Sequence, residues 1–402
     1  MLQVSIKRGR EQKIKNFHPW IYKSDLLSHS RRVKPGELCI IRDYKGAFLA
    51  KGYINPESYI AIRILTFKKE EEIDLSFFIN RIREASNYRK KLLKSAPNTT
   101  GFRLIHSEAD YLSGLIVDNY NGYLVIQFTT FGMELLKPLI VKALIEVVKP
   151  KGIYEKSTIQ TRELEGLPLT ENLLHGTFPE KVEILENGIK VQVRIIGGQK
   201  TGYFLDQREN KLLFAKEFVE EGDKVLDAFC HLGGFGLHAA VIGKAKKVVA
   251  VDSSEFALEL AKENSKINGV ENIFEFIKGD CFKILKKLQK NGETFDSIVI
   301  DPPAFAKSRT VVEQAKKGYK ELFLRGLKML KPGGKIIVCS CSHHITPPIL
   351  EEILLSAAID TRIPLKILYT TYQSKDHPFV LQIPESRYLK CIFARRFKWE
   401  VK

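Results

Sequence analysis

Cysteine is scarce in this chain, with six among 402 residues, at positions 39, 230, 281, 339, 341 and 391. So few in so long a chain make no disulfide framework. Zinc-ligand spacing is missing as well, since Cys339 and Cys341 form only a CxC pair. No apolar run reaches the ~18 residues that a membrane span needs. The opening MLQVSIKRGREQK lacks the apolar stretch of a secretory signal. These absences point to a cytoplasmic protein with reduced thiols, no membrane association and no metal site. Acidic residues are in the minority, 47 against 64 Lys and Arg, for a formal net charge of +17. A hydrophobic fraction of 44% excludes a disordered chain. The length exceeds one ordinary core, so two or three domains are expected.

The charge is unevenly placed. Residues 1–100 hold 21 basic and 10 acidic residues, residues 101–300 hold 25 and 28, and residues 301–402 hold 18 and 9. Two basic ends thus flank a near-neutral middle. Such surfaces suit a phosphate backbone, where each contact releases counterions. RNA or DNA is the leading partner class, with solvated basic faces as the plain alternative.

Residues 1–67 read as short strands and turns. Val4–Ile6 alternates, Glu37–Arg42 and Ala47–Tyr53 flank the turn Asp43–Gly46, and Tyr59–Leu65 alternates again. A short helix is expected around His18-Pro19-Trp20. Together these describe a small β-barrel with a basic exterior. A charged linker, Lys68–Asp74, leads to a helix over Leu75–Lys94 by its apolar spacing. Strands over Arg103–Ser107, Leu115–Asp118 and Tyr123–Thr129 follow, then a helix over Met133–Val148 and a strand over Gly152–Lys156. A hairpin, Lys181–Glu186 and Lys190–Ile196, turns at Asn187-Gly188. From Lys224 onward strand and helix alternate. The strands are Lys224–Ala228, Lys246–Val251, Ile273–Lys278, Ser297–Ile300, Lys335–Ser340, Lys366–Tyr372 and Tyr388–Phe393. This is an α/β doubly wound sheet, and its last two strands form an antiparallel pair at one edge. The expected division is 1–67, 68–180 and 181–402.

The segment Val225–Gly236 ends a strand and opens a helix with Gly233, Gly234 and Gly236. These glycines let the backbone turn tightly and approach a ligand. The pattern is GGxG, not the GxGxxG of dinucleotide-binding folds. Four strand ends carry carboxylates: Asp227, Asp252, Asp280 and Asp301. Asp252 is placed for ribose hydroxyls and Asp280 for an adenine amino group. Each Asp alone can be a helix cap. Together, at the edge where α/β sheets bind ligands, they describe an S-adenosylmethionine (SAM) pocket, with Phe229 also on the glycine turn.

Cys339 and Cys341 lie on one side of a strand by alternation. Cys339 sits within the apolar run and reads as a buried small hydrophobe. Cys341 stands at the strand's C-terminal end, on the rim that carries Asp301. Carbon 5 of cytosine is a weak nucleophile until a thiolate adds to carbon 6, and Cys341 is the candidate for that attack. Asp301 can assist at N3 of the base. Lys307, His343 and His344 are candidates to lower the thiol pKa.

Residues 190–402 resemble class I SAM-dependent methyltransferases. Gly202–Asn210 matches a segment that lies by the methionine end of the cofactor in related RNA enzymes. The resemblance places Asp206, Gln207 and Arg208 there, Arg208 against the carboxylate. The whole chain resembles the bacterial 23S rRNA (cytosine-5) methyltransferases with an N-terminal PUA domain. The match rests on Lys7–Glu11 with His18–Trp20, on Ser107–Asp118, on Gly198–Arg208, on Asp301–Phe305, on Ser340–His344 and on Asp376–Pro378. It implies a PUA domain, a middle α+β domain of the EEHEE type and a seven-stranded Rossmann-like catalytic domain. It implies 23S rRNA or an assembly intermediate as partner, with Lys7, Arg8, Arg10 and Lys307 on the RNA, and admits a homodimer. One departure is plain: many RNA cytosine-5 enzymes carry Pro-Cys where this chain has Asp301-Pro302-Pro303, so the group that removes the carbon 5 proton is open. Guanine methylation and a non-catalytic RNA-binding assembly role are the alternatives.

Overall fold

The computed structural model describes residues 1–29, 33–197, 202–306 and 311–399. Contacts divide the chain into two compact units made of non-contiguous stretches. The first is Met1–Ile184, Val193–Leu205 and Lys375–Ser386; the second is Leu185–Gln192, Asp206–Ser374 and Arg387–Lys402.

The first unit carries two sheets. Strands β1 (Leu2–Ile6), β2 (Trp20–Ile21), β3 (Leu26–His29), β4 (Glu37–Arg42), β5 (Phe48–Ile54) and β6 (Ile62–Thr66) pair in the order β2-β6-β5-β4-β1-β3. The alternation of β1 is visible in its burial, with Leu2, Val4 and Ile6 inside. The expected short helix lies earlier than the sequence reading put it. Helix α1 is Glu11–Lys15, and Trp20 belongs to β2. The Pro19 ring excludes a helical amide there and leaves its neighbours extended.

Helix α2 (Leu75–Leu93) is capped by Asp74, which accepts from Phe77 N at 2.9 Å. It buries Phe77, Phe78, Ile82 and Ala85 against helix α3 (Phe131–Val148) and a second sheet. That sheet has strands β7 (Gly101–His106), β8 (Leu115–Tyr120), β9 (Tyr123–Phe128), β10 (Gly152–Ser157) and β11 (Thr170–Gly176), in the order β11-β10-β9-β8-β7. The hairpin β12 (Lys181–Glu186) and β13 (Ile189–Arg194) follows, and its tip, Leu185–Gln192, belongs to the second unit.

The second unit is the α/β sheet. Its strands are β14 (Lys224–Ala228), β15 (Lys247–Asp252), β16 (Phe274–Lys278), β17 (Phe295–Ile300), β18 (Leu330–Ser340), β19 (Leu365–Tyr372) and β20 (Lys390–Arg396). The order is β16-β15-β14-β17-β18-β20-β19. The first five are parallel, and β20 runs antiparallel between β18 and β19. The central strands are mostly apolar and buried because both faces are covered. Helices α4 (Arg208–Leu213), α5 (Gly234–Val241), α6 (Glu255–Ile267), α7 (Cys281–Lys290), α8 (Val312–Met329) and α9 (Pro347–Thr361) complete the unit. The expected doubly wound fold is what forms.

Asp376 and His377, quoted above among the methyltransferase motifs, pack within the first unit. Asp376 accepts from Arg103 N at 2.8 Å, and its carbonyl accepts from Arg89 at 3.0 Å. Arg89 is fully buried, forms a forked ion pair with Asp110 and donates to Arg103 O at 3.1 Å. Removing one member of a buried pair strands the other. Arg89→Met is therefore expected to destabilise the protein by about 3–5 kcal/mol, read as the loss of unfolding free energy in urea titrations.

Candidate functional site

The turn after β14 is built from left-handed backbone. Phe229, His231 and Gly233 have φ of 64°, 49° and 77°. Two non-glycine residues in that region are unusual and mark a turn held by its surroundings. Cys230 N donates to Val251 O at 3.0 Å and His231 N to Asp252 Oδ2 at 2.9 Å, which tie the turn to β15. Gly234 opens α5, and Gly236 N donates to Asp227 Oδ2 at 2.8 Å. A side chain at position 236 would crowd Phe274 and Val248 at 3.0 Å. Asp227 is buried, and burial with the nearby Asp301 and Asp252 charges pushes its pKa up to about 7.

The four expected carboxylates gather along one edge of the sheet, at the C-terminal ends of the adjacent strands β16, β15, β14 and β17. Asp252 also accepts from Ser254 N at 2.9 Å, and Asp280 caps α7 by accepting from Lys283 N at 3.0 Å. Each is thus a local cap and keeps further lone pairs for a ligand. Asp301 accepts from Gln207 Nε2 at 3.0 Å. Beside this edge, Phe282, Ala304, Phe305, Val311, Gln314, Ala315 and Gly318 line a cleft of about 510 Å³.

Asp206 and Gln207 lie just before α4 in the same unit, and Arg208 opens that helix. Gln207 is held from behind, because Asn210 Nδ2 donates to its Oε1 at 2.6 Å and Asn210 Oδ1 accepts from Thr371 at 2.7 Å. Asp206 Oδ2 accepts from Tyr388 at 2.7 Å, while its Oδ1 is buried without a hydrogen-bond partner among the described residues. Arg208 is buried and pairs with Glu209 at 3.0 Å. Next to them Lys211 forms a buried ion pair with Glu186 of the hairpin tip at 2.8 Å. His238, buried beside that pair, is held neutral, its pKa pushed down to about 4 by burial. Neither Glu186 nor Lys211 was singled out from the sequence.

Cys341 is half-buried just past β18. The other five cysteines are buried. Burial pushes the thiol of Cys339 well up and that of Cys281 up to about 12, so neither is a nucleophile. Cys341 lies between two anchored serines. Tyr319 OH bonds to Ser340 Oγ at 2.9 Å and Ser342 Oγ at 3.0 Å, and Ala306 N donates to Ser342 Oγ at 3.2 Å. These bonds fasten the loop after β18 to the turn that begins at Asp301. His343 is exposed, its ring edge-on to His344. Lys390, which the sequence reading passed over, is buried here and donates to Ser342 O at 2.7 Å and Tyr388 O at 2.8 Å. Its place opposite the end of β18 shows only once the strands are paired.

In the first unit, Lys7, Arg8 and Arg10 are exposed, but two of them are engaged. Lys7 donates to Ser24 O at 2.8 Å, and Arg10 pairs with Asp25 at 3.2 Å. Arg8 and Lys45 flank the ring of Tyr44 at 5.7 and 5.6 Å. Lys307 and residues 198–201 lie outside the described residues. No helix among the described residues is long and apolar enough to cross a membrane.

Comparison with known proteins finds a PUA-like domain over residues 4–67 and an S-adenosylmethionine-dependent methyltransferase over residues 169–362. Ribosomal RNA large subunit methyltransferase I of Tolumonas auensis is 38% identical over 395 residues, 98% of each chain. Its namesake in Shewanella amazonensis is 38% identical over 98% of this chain and 99% of its own. In three dimensions the chain is similar to the crystal structure of SMU.776 complexed with SAH, with a TM-score of 0.84 at 24% identity, over 98% of this chain and 100% of that one. The SAM-dependent methyltransferase fold expected above, with its PUA-like N-terminal domain, is borne out.

The raised Asp227 pKa has a sign that can be tested. The folded state holds the proton to about pH 7, whereas the unfolded chain releases it near 3.8. Stability from this group is full below the lower value and is lost as pH rises through the higher one. Asp227→Asn keeps the shape without the titration. Relative to the wild type it is expected to gain stability between those pH values, by up to about 1.4 kcal/mol per unit. Urea midpoints at pH 4.5 and 7.5 check this, and a constant difference between the two proteins would show an ordinary carboxylate.

Proposed function

The chain belongs to the ribosomal RNA large subunit methyltransferase I family, and from that premise we propose that it methylates carbon 5 of a cytosine in large-subunit ribosomal RNA. The observation that carries the cytosine reading is the placement of Cys341. It is half-buried, where the other five cysteines are buried, and it stands just past β18, the neighbour of the strand that ends at Asp301. An enzyme that methylates an amino group or a guanine needs no thiol at this rim.

S-adenosylmethionine supplies an electrophilic methyl group on a sulfonium sulfur. The residues present fit it. The unpartnered buried oxygen of Asp206 is an acceptor for an ammonium, and Arg208 is the matching donor for a carboxylate. Asp252 and Asp280 keep lone pairs for ribose and adenine groups. The turn carrying Asp227, Phe229, Gly233, Gly234 and Gly236 lies at the same edge of the sheet. The aromatic walls of the cleft by Phe282 and Phe305 suit a flat ring.

In this reading the Cys341 thiolate adds to carbon 6 and the electron pair of the 5,6 double bond moves toward carbon 5. Asp301, oriented by Gln207, donates or accepts at N3 of the base. Carbon 5 takes the methyl group as the methyl–sulfonium bond breaks, and the electron pair of that bond stays on sulfur as a neutral thioether. A general base then takes the carbon 5 proton, the C–H pair restores the 5,6 double bond and Cys341 leaves as thiolate. The serine anchors on either side of Cys341 hold the sulfur so that little motion is left to freeze on attack.

RNA is proposed to lie on the first unit's Arg8, Tyr44 and Lys45, where two cations flank an aromatic ring that a base can stack on.

Two measurements test the reading. Cys341→Ala is expected to abolish methyl transfer while SAM affinity by calorimetry stays within about twofold. Nuclease digestion and mass spectrometry of the RNA product is expected to show 5-methylcytosine, and methylguanosine would overturn the proposal. For the RNA face, Arg8→Gln with Lys45→Gln is expected to reduce the salt slope of RNA binding by roughly one to two. An unchanged slope would return these side chains to solvent.

A further inference from the structure

The nucleophile proposed above stands beside a buried amine with capacity to spare. Lys390 is 1% exposed, on the strand that pairs with the end of β18, directly opposite Ser340. Its Nζ donates to the carbonyls of Ser342 and Tyr388, so two of its three hydrogens are used. The third has no hydrogen-bond partner among the described residues. Those carbonyls clamp the amine onto the loop that holds Cys341. Cys341 is the one residue between Ser340, which faces Lys390 across the sheet, and Ser342, whose carbonyl the amine holds.

We infer that Lys390 is the positioning cation of the thiol: its ammonium pairs with the Cys341 sulfur and holds it as thiolate. The inference rests on the reading of Cys341 as the nucleophile. Cys341 gives its proton to solvent, and Lys390 keeps all three of its own. The attraction is mutual, so the thiolate that favours the ammonium is favoured by it to the same degree. Burial brings Lys390 down to about 8, which leaves it charged at neutral pH.

Among the described residues, the other titratable groups near the pair are these. Tyr319 on α8 has its pKa raised to about 12 and stays neutral. Cys391 on β20 sits against Gln207 and Asn210. Cys339 on β18 is buried with its pKa raised well up, and Asp301 acts on that thiol. Of the candidates expected from the sequence, His343 is exposed and Lys307 lies outside the described residues.

The test uses the full chain and reads the sulfur itself, not methyl transfer. Iodoacetamide alkylation of Cys341 is followed across pH 5–10 by peptide mass spectrometry, for the wild type, Lys390→Met and Lys390→Arg, with SAM binding as the measure of folding. The wild-type midpoint is expected at least one unit below the ordinary thiol value of about 8.5. Lys390→Met is expected to raise it by one unit or more, slowing alkylation at pH 7 by roughly tenfold, and Lys390→Arg to restore it. A wild-type midpoint at or above 8.5 overturns the pairing whether or not the variants fold, and so does an unmoved midpoint in a Lys390→Met protein that binds SAM. Failure here differs from failure of the cytosine reading. An ordinary thiol with 5-methylcytosine as product removes only the ion pair, and a depressed midpoint with another methylated base removes only the cytosine assignment.

Discussion

The last strand of the second unit runs antiparallel between two strands that precede it, and much of the site depends on that insertion. A strand entering there brings the residues around position 390 alongside the end of β18. Tyr388 reaches Asp206, Lys390 reaches the loop after Ser340, and Cys391 touches Gln207 and Asn210. Three side chains thus brace both the start of α4 and the loop that carries Cys341. A purely parallel sheet would leave those two segments without a common support.

The second constraint is electrostatic. Asp252 and Asp301 stand beside the buried Asp227 at one edge, and burial with those like charges disfavours ionisation of Asp227. The unit offsets this unevenly. Asp301 has an amide, and Asp252 has two backbone donors and a partly solvated position. Asp227 has one backbone donor and deep burial, and it carries the large shift. A cationic ligand is the natural complement of such an edge, and a sulfonium with an ammonium is doubly so. The near-neutral middle of the sequence therefore conceals a strong local imbalance.

Most of the second unit was legible because its signals are redundant. Apolar runs of strand length, capped helices and glycine turns all agree. The strand β11 was missed because it is an edge strand with most side chains exposed, so no alternation betrays it. Cys341 was legible from its place at a strand end. Lys390 was not, because a lone lysine in an apolar strand reads as a solvated edge until its neighbours are known. Asp376 and His377 were legible as a motif but not as to place. A segment between two strands of one unit that packs in the other leaves no trace in local pattern. The basic N-terminus gave the right sign of charge, but Arg10 is spent on Asp25 and Lys7 on a carbonyl, and only side-chain geometry tells such cations from free ones.

The hairpin has one more implication, for the order in which the chain must be made. Its tip counts with the second unit, and Glu186 on that tip neutralises the buried Lys211. The sheet's own sequence begins only later, at Lys224. A fragment starting at Asp206 would contain every strand of the sheet and every carboxylate of its edge, yet would lack the Glu186 partner of the buried Lys211. The hairpin tip therefore belongs to the interior of the catalytic unit. During synthesis the hairpin leaves the ribosome first, and it must wait, with its acid unpaired, for the lysine that arrives about twenty-five residues later.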